Sequence, residues 1–280
     1  MSAATLVESA LENREIAARF VAARLAARAL PGYPGKLPAD LDTAYARQDA
    51  AIALWPDVLR GWKVGRIPDA WLARMGEDRL MGPVFGAQLH HLAAGASAAL
   101  RVIEGGFAAV EAEYIFVLAH DADPQRSDHD AHSAAALVAA LHIGIELAGS
   151  PLATINELGP AVVVSDFGNN AGVYLGPEIA DWRGCDWASL RCATYVEDAL
   201  VGRGGASSLP GGPLAALAFA LNRGARRGRP LKAGMVVSTG AATGIHDIRA
   251  GQHARLVFDG IGELHAHALS AVPLPLGVRA

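Results

Sequence analysis

Three glutamates of the chain are candidates for one shared ion site. Glu111 and Glu113 flank a single alanine in the run Glu-Ala-Glu. If this run is a strand, residues two apart share a face, and the two carboxylates stand about 7 Å apart along it. Glu146 lies in an apolar run without a basic neighbour in sequence, and such a glutamate is rarely buried unless it is paired. The ordinary alternatives are a strand end in solvent for the pair and a distant salt bridge for Glu146.

Taken together, the three carboxylates form an oxygen-rich site. Hard divalent cations such as Mg²⁺ and Mn²⁺ prefer oxygen ligands, whereas Zn²⁺ more often recruits His or Cys. Without a cation, like charges at the edge of an apolar face repel each other and resist desolvation. The sequence therefore predicts Mg²⁺ or Mn²⁺ as the cofactor of this site.

Lys63 is a candidate proton carrier. It lies in the run Gly61-Trp-Lys-Val-Gly65, whose glycines permit a close approach of backbone to another group. A buried lysine shifts its pKa readily, so beside a cation and an enolisable substrate it can move protons. The ordinary alternative is a solvated lysine on a strand.

Other motifs indicate less chemistry. His265 and His267 share a predicted strand face, but nothing else in the sequence pairs with them. The run Asp-His-Asp-Ala-His at 128–132 precedes a predicted helix, where a capping role explains it. The sequence contains no P-loop, no dinucleotide-binding glycine pattern and no Gly-X-Ser-X-Gly turn.

Composition narrows the class of protein. The 280 residues carry 24 basic and 28 acidic side chains, a formal net charge of −4, which argues against nucleic acid as a partner. No apolar run is long enough to span a membrane. The two cysteines, Cys185 and Cys192, form no disulfide framework, so we expect a reducing, cytoplasmic location.

The elements that must position these residues are predicted from hydrophobic periodicity and turn signals. Helices are predicted over 3–30, from Asp40 or Asp42 to about 56, and over 68–75, 133–141 and 213–227. Strands are predicted over 62–64, 101–103, 110–118, 142–147, 161–165, 172–175, 191–196, 235–238, 252–258 and 263–269. The last two are joined by a hairpin signal at 259–262. This order indicates an α+β protein with a mixed, rolled sheet over 61–280, preceded by a helical segment over 1–60.

The order of the motifs along the chain is more specific than any one of them. The motifs are Ala44-Tyr-Ala-Arg-Gln48, Gly61-Trp-Lys-Val-Gly65, Glu111-Ala-Glu113, Ile145-Glu146, Pro230-Leu-Lys-Ala-Gly234 and Thr239-Gly240. Over nearly its whole length the chain thus resembles the 2-keto-4-pentenoate hydratase family of the fumarylacetoacetate hydrolase superfamily. That family includes the 4-oxalocrotonate decarboxylases.

The resemblance implies a role for each matching position. Glu111, Glu113 and Glu146 match carboxylates that bind Mg²⁺ or Mn²⁺, and Lys63 matches the active-site lysine. The remaining implied residues are Asp78 as a catalytic acid near the substrate, and Asn169 and Thr239 as substrate-binding residues. The implied fold is a mixed β-roll or barrel-like catalytic domain with an N-terminal helical part, in a homo-oligomer.

Two stretches depart from the family pattern. The family usually follows the third glutamate with Asp-Ser-Arg, whereas here Leu-Ala-Gly-Ser-Pro at 147–151 lacks the Asp and the Arg. The family's Ala-Asp-Asn-Ala-Ser becomes Ser-Asp-Phe-Gly-Asn-Asn at 165–170. Asp166 is retained, but Phe167 and Asn169 replace an Asn and a Ser. Both departures fall on the substrate side of the expected site.

The implied activity is a metal-dependent hydratase of aromatic catabolism that adds water to a 2-hydroxy-2,4-dienoate through an enolate. Its partner is a small 2-oxo acid, with no role for nucleic acid or membrane. The alternatives are a 4-oxalocrotonate-type decarboxylase and a partner subunit whose site has decayed. A carbon–carbon bond hydrolase would need a base to activate water, for which His90 and His91 are the nearby candidates.

Overall fold

The computed structural model describes residues 3–93 and 95–274, with side chains described from residue 8 onward. The helices in these ranges are α1 (Ala3–Leu25), α2 (Leu41–Leu54), α3 (Asp69–Met75), α4 (Ala131–Ala135), α5 (Pro160–Ser165) and α6 (Gly212–Arg226). Within them, no helix is long and apolar enough to cross a membrane.

The strands alternate with these helices without a regular pattern. They are β1 (Leu59–Arg66), β2 (Arg79–Phe85), β3 (Leu89–His91), β4 (Ser97–Val102), β5 (Phe107–Leu118), β6 (Val138–Ser150), β7 (Asn170–Glu178), β8 (Arg191–Val196), β9 (Ala199–Gly205), β10 (Val236–Ser238), β11 (His246–Asp247), β12 (His253–Phe258) and β13 (Gly262–Ser270).

The larger sheet carries the candidate site. Its strand order is β2-β1-β10-β5-β6-β7-β3, and β11 also pairs with β5. The long strands β5 and β6 form its antiparallel centre, while β1 pairs with β10 in parallel. The smaller sheet has the order β4-β13-β12-β8-β9, with β4 and β13 parallel. Both sheets are mixed, which confirms the predicted α+β class and rolled-sheet architecture.

The N-terminal helices pack on the sheets. Ile16 and Phe20 of α1 and Tyr45 of α2 belong to the same apolar core as Trp62 and Tyr114 of the strands. The side chain of Asp40, one of the two predicted candidates, caps α2 by accepting a hydrogen bond of 2.8 Å from the Thr43 amide. Burial of one face of each helix therefore fastens the segment before β1 to the sheet that follows it.

Most predicted elements are confirmed, and two are wrong in type. The alanine-rich stretch predicted as a helix over 133–141 is helical only in α4, because β6 begins at Val138 and pairs with β5 along its length. The valine-rich stretch predicted as a strand over 161–165 is helix α5, which starts with Pro160 after Gly159 at φ +98°. In both places tertiary pairing or capping outweighed intrinsic propensity.

Boundaries and missed strands account for the other differences. The first helix ends at Leu25, five residues before the predicted end, and Ala27 takes a positive φ of 48°. The strand β2 contains Gly82-Pro83, a pair that normally argues against a strand. A Cβ on Gly82 would lie 2.0 Å from the Phe167 carbonyl oxygen, so the close contact between β2 and the turn before β7 requires this glycine.

Candidate metal centre

The pairing of β5 with β6 brings the three glutamates together. Glu111 lies directly opposite Glu146 in the register, and Glu113 lies two residues farther along the same face of β5. All three side chains are buried. One carboxylate oxygen from each lies within 4.8 Å of the other two. Like charges directly opposite on paired strands are destabilising, so this arrangement needs a compensating cation.

Each carboxylate of this acidic triad has at least one buried oxygen left without a partner among the described residues. Glu146 Oε1 accepts a hydrogen bond of 2.9 Å from Asn170 Nδ2 and lies 3.3 Å from Lys63 Nζ, while its Oε2 has no partner. Glu113 Oε2 accepts a hydrogen bond of 2.7 Å from the Gly240 amide, while its Oε1 has none. Glu111 Oε1 is also without a partner. Three free carboxylate oxygens at this spacing suit a divalent cation that prefers oxygen ligands.

The electrostatics of the triad point the same way. Burial, and then the neighbouring Glu146 carboxylate, raise the pKa of Glu111 to about 8, and the same causes raise the pKa of Glu113 well above its ordinary range. Burial alone would lower the pKa of Lys63, but attraction to the three carboxylates raises it, so the lysine is held as an ammonium. One ammonium cannot balance three buried carboxylates, which leaves room for a divalent charge.

The glycines around Lys63 have a structural reason. A Cβ on Gly61 would lie 2.3 Å from the Val236 carbonyl oxygen, so β1 can approach β10 only with glycine there. A Cβ on Gly65 would lie 3.6 Å from Lys63 Nζ. The first glycine lets the strand pair, and the second keeps space beside the ammonium group.

A cavity of about 400 Å³ opens beside the triad. Among the residues that line it are four of the predicted site residues, Lys63, Glu111, Asn169 and Thr239. Asn169 is buried at φ +54° and its Oδ1 has no hydrogen-bond partner among the described residues. Thr239 Oγ1 donates to the Tyr114 carbonyl oxygen at 2.7 Å, which fixes the hydroxyl. A positive φ on a non-glycine residue and an unpaired buried amide oxygen are typical of a binding position.

Other predicted residues lie elsewhere. The Asp78 carboxylate is 57 % exposed, pairs with Arg79 and is not among the residues that line the cavity. His90 stacks on Tyr174 and His91 is exposed on β3, and neither lines the cavity. The structure therefore brings together the triad, Lys63 and the two proposed substrate residues, and leaves the candidate bases for carbon–carbon hydrolysis outside.

Sequence reasoning missed the residues that hold the triad in place. Asn170, which binds Glu146, was not singled out as a site residue, although it ends the stretch that departs from the family pattern. Asn156 lines the cavity and accepts a hydrogen bond of 3.3 Å from Asn169 Nδ2. Nothing in the sequence around Asn156 signals this role, because it depends on contacts that only the fold creates.

The two departures from the family pattern are joined by a buried ion pair. Arg24 of α1 binds both carboxylate oxygens of Asp166, at 2.6 and 2.9 Å, and donates to the Gly149 carbonyl at 2.8 Å and the Asn170 carbonyl at 2.9 Å. Ser150 Oγ donates to Asp166 at 2.6 Å. The stretch without its usual Asp and Arg is thus tied to the next one by an arginine from the N-terminal helix.

Comparison with solved structures places the fold. The 4-oxalocrotonate decarboxylase of Pseudomonas putida G7, in complex with calcium and acetate, matches with a TM-score of 0.76 at 19 % identity, over 92 % of this chain and 97 % of that one. Fumarylpyruvate hydrolase of Pseudomonas aeruginosa, in complex with Mn²⁺ and pyruvate, matches with a TM-score of 0.56 at 17 % identity, over 76 % and 90 %. The chain therefore shares its fold with these two proteins.

Comparison of sequences places the chain more closely. No protein-family model matches it. It is 30 % identical to 2-keto-4-pentenoate hydratase 2 of Dechloromonas aromatica over 239 residues, which cover 81 % of this chain and 86 % of that protein. It is 29 % identical to 2-keto-4-pentenoate hydratase 1 of the same organism over 270 residues, 92 % of this chain and 97 % of that protein. The chain belongs to the 2-keto-4-pentenoate hydratase family.

Proposed function

We propose that the protein is a metal-dependent hydro-lyase that adds water to a 2-hydroxy-2,4-dienoate of aromatic catabolism. The observation that carries the proposal is the acidic triad, in which each buried carboxylate offers one unpartnered oxygen next to the Lys63 ammonium. The family relationship supports the choice of hydration, because both named relatives are 2-keto-4-pentenoate hydratases.

Glu111, Glu113 and Glu146 would hold a divalent cation, for which we propose Mg²⁺ or Mn²⁺ because the ligands are all oxygen. When bound, this cation supplies Lewis-acid stabilisation of negative charge on the substrate's 2-oxygen. Glu113 and Glu146 are each oriented by a hydrogen bond on their second oxygen, from Gly240 and Asn170 respectively. These contacts fix the carboxylates before the substrate binds.

Lys63 would carry protons in the reaction. The dienol loses the proton of its 2-hydroxyl and gains one at C5, and water then adds its oxygen at C4 and a proton at C3. The lysine lines the cavity and its raised pKa keeps a proton on Nζ. We propose that Nζ delivers a proton to C5 and takes up the proton of the 2-hydroxyl, so that the lysine ends the step as an ammonium again.

We propose that Asn169 and Thr239 bind the substrate. We also propose that Asp78, which lies outside the cavity, assists catalysis. Asn169 supports this assignment with an unpaired amide oxygen beside the cavity. Asp78 pairs with Arg79, and Arg79 lines the cavity. An influence of Asp78 on the substrate would therefore run through that arginine.

We also propose a homo-oligomer in the cytoplasm. The smaller sheet ends in β9, where Leu200 and Val201 are exposed apolar side chains on an edge strand, a feature suited to a subunit contact. The cysteines at 185 and 192 are both free thiols, as suits a reducing compartment. Light scattering after size-exclusion chromatography tests the oligomer.

The test of the function is the decay of the ultraviolet absorbance of 2-hydroxypenta-2,4-dienoate with added Mg²⁺ or Mn²⁺, repeated after EDTA. We expect metal-dependent decay with 4-hydroxy-2-oxopentanoate as the product. No decay by protein that is shown to bind the ion would contradict the hydratase. Release of CO₂ from 2-oxohex-3-enedioate in the same assay would instead identify a decarboxylase, and metal binding without turnover of either would identify a decayed partner subunit.

A further inference from the structure

We propose that the natural substrate carries an uncharged, apolar tail beyond C5 of the hydroxydienoate. This inference rests on the proposed function and names its substrate class more closely. It is carried by the size of the cavity, by the apolar walls that begin next to the reacting groups, and by the pairing of every arginine that lines it.

The cavity is larger than a five-carbon substrate. A five-carbon hydroxydienoate fills about 150 Å³ at the packing density of a protein interior, whereas the cavity measures about 400 Å³. More than half of the space therefore lies beyond the substrate core. Space lined by side chains at an active site favours a ligand that fills it.

The apolar walls start at the reacting groups. The space beside Gly65 is bounded both by Lys63 and by Leu80, since a Cβ on this glycine would lie 3.3 Å from Leu80 Cδ1 and 3.6 Å from Lys63 Nζ. At a second position of the lining, a Cβ on Gly240 would lie 3.2 Å from Leu209 Cδ2. Leu80 and Leu209 both line the cavity. Leucine methyl groups therefore lie beside Lys63 and beside Gly240, whose amide binds Glu113, so the apolar lining begins at the reacting groups.

The outer walls continue this apolar surface. Trp71 and Phe107 are half-buried, and Ile245 is 53 % exposed, although all three line the cavity. Trp71 is held in place, because the Arg74 guanidinium lies 5.5 Å from its ring centre and its far edge packs against Gly159. A fixed indole that is only partly covered gains contact area when an apolar tail binds against it.

The two arginines among the described lining residues already have acidic partners, so neither is free to bind a second carboxylate of the substrate. Arg66 pairs with Asp69 at 2.5 Å, and Arg79 pairs with Asp78 while it also donates to the Pro210 carbonyl. Asp247 adds a negative charge to the lining. A dioate would therefore bring its distal charge to arginines that already have partners, next to an aspartate that repels it.

The test compares three substrates that share one dienol and differ only in the tail. They are 2-hydroxypenta-2,4-dienoate, its propyl-extended homologue 2-hydroxyocta-2,4-dienoate, and 2-hydroxyhexa-2,4-dienedioate. We expect kcat/KM for the propyl compound to exceed that of the unsubstituted one by on the order of tenfold or more, since each methylene in an apolar pocket contributes. The dioate should be the poorest of the three. Equal values for the first two, or a preference for the dioate, would overturn the inference.

A variant locates the effect in the cavity. Trp71→Ala should lower the ratio of kcat/KM between the propyl and the unsubstituted compound by on the order of tenfold. Trp187→Ala is the matched control, because Trp187 is also half-buried but packs on Trp182 and is absent from the cavity lining. A ratio that responds equally to both changes, or to neither, would count against the tail site.

A binding experiment separates this inference from the proposed function. With Mn²⁺ present, calorimetry compares the unreactive acids 2-oxooctanoate, 2-oxopentanoate and 2-oxohexanedioate. Tightest binding of 2-oxooctanoate would support the apolar tail even if none of the dienoates were hydrated. Hydration of the unsubstituted dienoate together with weaker binding of 2-oxooctanoate than of 2-oxopentanoate would retain the proposed function and reject the tail.

Discussion

The protein has two buried clusters of charge, the acidic triad on β5 and β6 and the ion pair of Arg24 on α1 with Asp166 after α5. They differ in how their polar atoms are satisfied. In the ion pair of Arg24 and Asp166, every described carboxylate oxygen has a partner, and Ser150 adds a further hydrogen bond. In the acidic triad, three buried carboxylate oxygens have no partner in the part of the chain that the structure describes. A buried cluster with all its hydrogen bonds made is suited to hold a fold, whereas one with free oxygens is suited to bind a cation.

Asn170 connects the two clusters. Its backbone carbonyl accepts from Arg24 Nη1, and its side-chain amide donates to Glu146 Oε1. The ion pair thus sets the position of the residue that orients one ligand of the triad. We therefore expect changes in the triad to affect activity more than folding, and changes in the ion pair to affect folding more than activity. A change at Asn170 should have an effect between these two.

The largest expected effect is on activity. Glu113→Gln keeps the shape of the side chain and removes one ligand charge, so metal-dependent hydration should fall on the order of a thousandfold or more. Because burial and the neighbouring carboxylates favour the uncharged form of Glu113 in the metal-free protein, the neutral amide suits the same position, and the free energy of unfolding in EDTA should not fall. Steady-state kinetics and urea unfolding measure the two, with Glu178→Gln as an exposed control on β7. Full metal-dependent turnover by Glu113→Gln would remove the triad from the site.

The ion pair should show the opposite pattern. Arg24→Met leaves the Asp166 carboxylate buried without its cation, and breaking such a pair costs about 3–5 kcal/mol of unfolding free energy. Urea unfolding of the metal-free protein measures this loss. The double variant Arg24→Met with Asp166→Asn should recover part of it, because no uncompensated charge remains. A loss below about 1 kcal/mol in the single variant would show that the pair contributes little.

The sequence predicted the members of the triad but not its geometry. Enrichment in β-branched and aromatic residues over 110–118 and a period-two pattern over 142–147 correctly predicted two strands, with Glu111 and Glu113 on one face of the first. The register that sets Glu111 opposite Glu146 depends on which strands become neighbours, and no local pattern records that. The order of the motifs predicted that the three glutamates act together, because it resembles that of a family in which the matching carboxylates bind one metal ion.

The supporting residues were beyond prediction for the same physical reason. Arg24 and Asp166 are 142 positions apart, and an arginine on an amphipathic helix looks the same in sequence whether it is solvated or buried. Local propensity predicts a helix for the alanine-rich stretch at 133–141 and a strand for the valine-rich stretch at 161–165. In the structure, β6 begins within the first stretch and the second is helical, because tertiary contacts outweigh propensity there.

A middle-sized effect should come from the residue that joins the clusters. Asn170→Ala removes the hydrogen bond to Glu146 Oε1 and should weaken Mn²⁺ binding by about 10–100-fold, as loss of an orienting partner of a ligand commonly does. Calorimetry with Mn²⁺ measures the dissociation constant. Asn156→Ala is the matched control, since Asn156 contacts Asn169 and not the triad. Equal losses in both variants would mean that the cavity as a whole, and not the orientation of Glu146, sets metal affinity.

The smallest expected effect, and the one that separates the clusters by pH, concerns the metal-free protein. Burial and the neighbouring carboxylates raise the pKa of Glu111 from its ordinary 4.5 to about 8, and they raise the pKa of Glu113 as well. A carboxyl group with a raised folded-state pKa keeps its proton in the folded protein while the unfolded chain has lost it. Its contribution to stability is therefore complete below the unfolded value and is lost as the pH rises through about 8.

In EDTA, unfolding free energy should fall between pH 5.5 and 8.5 with a slope of up to about 1.4 kcal/mol per pH unit for each proton held. Urea unfolding across this window measures the slope, and Glu111→Gln should flatten it, because the amide does not titrate. Added Mn²⁺ should reverse the trend, since it binds the deprotonated ligands and stabilises the fold more as they lose their protons. Arg24→Met should shift the whole curve down while its slope remains, because the triad and not the ion pair holds the protons. Stability of the metal-free protein that stays level or rises across the window would contradict the assignment of free, like-charged oxygens to the triad.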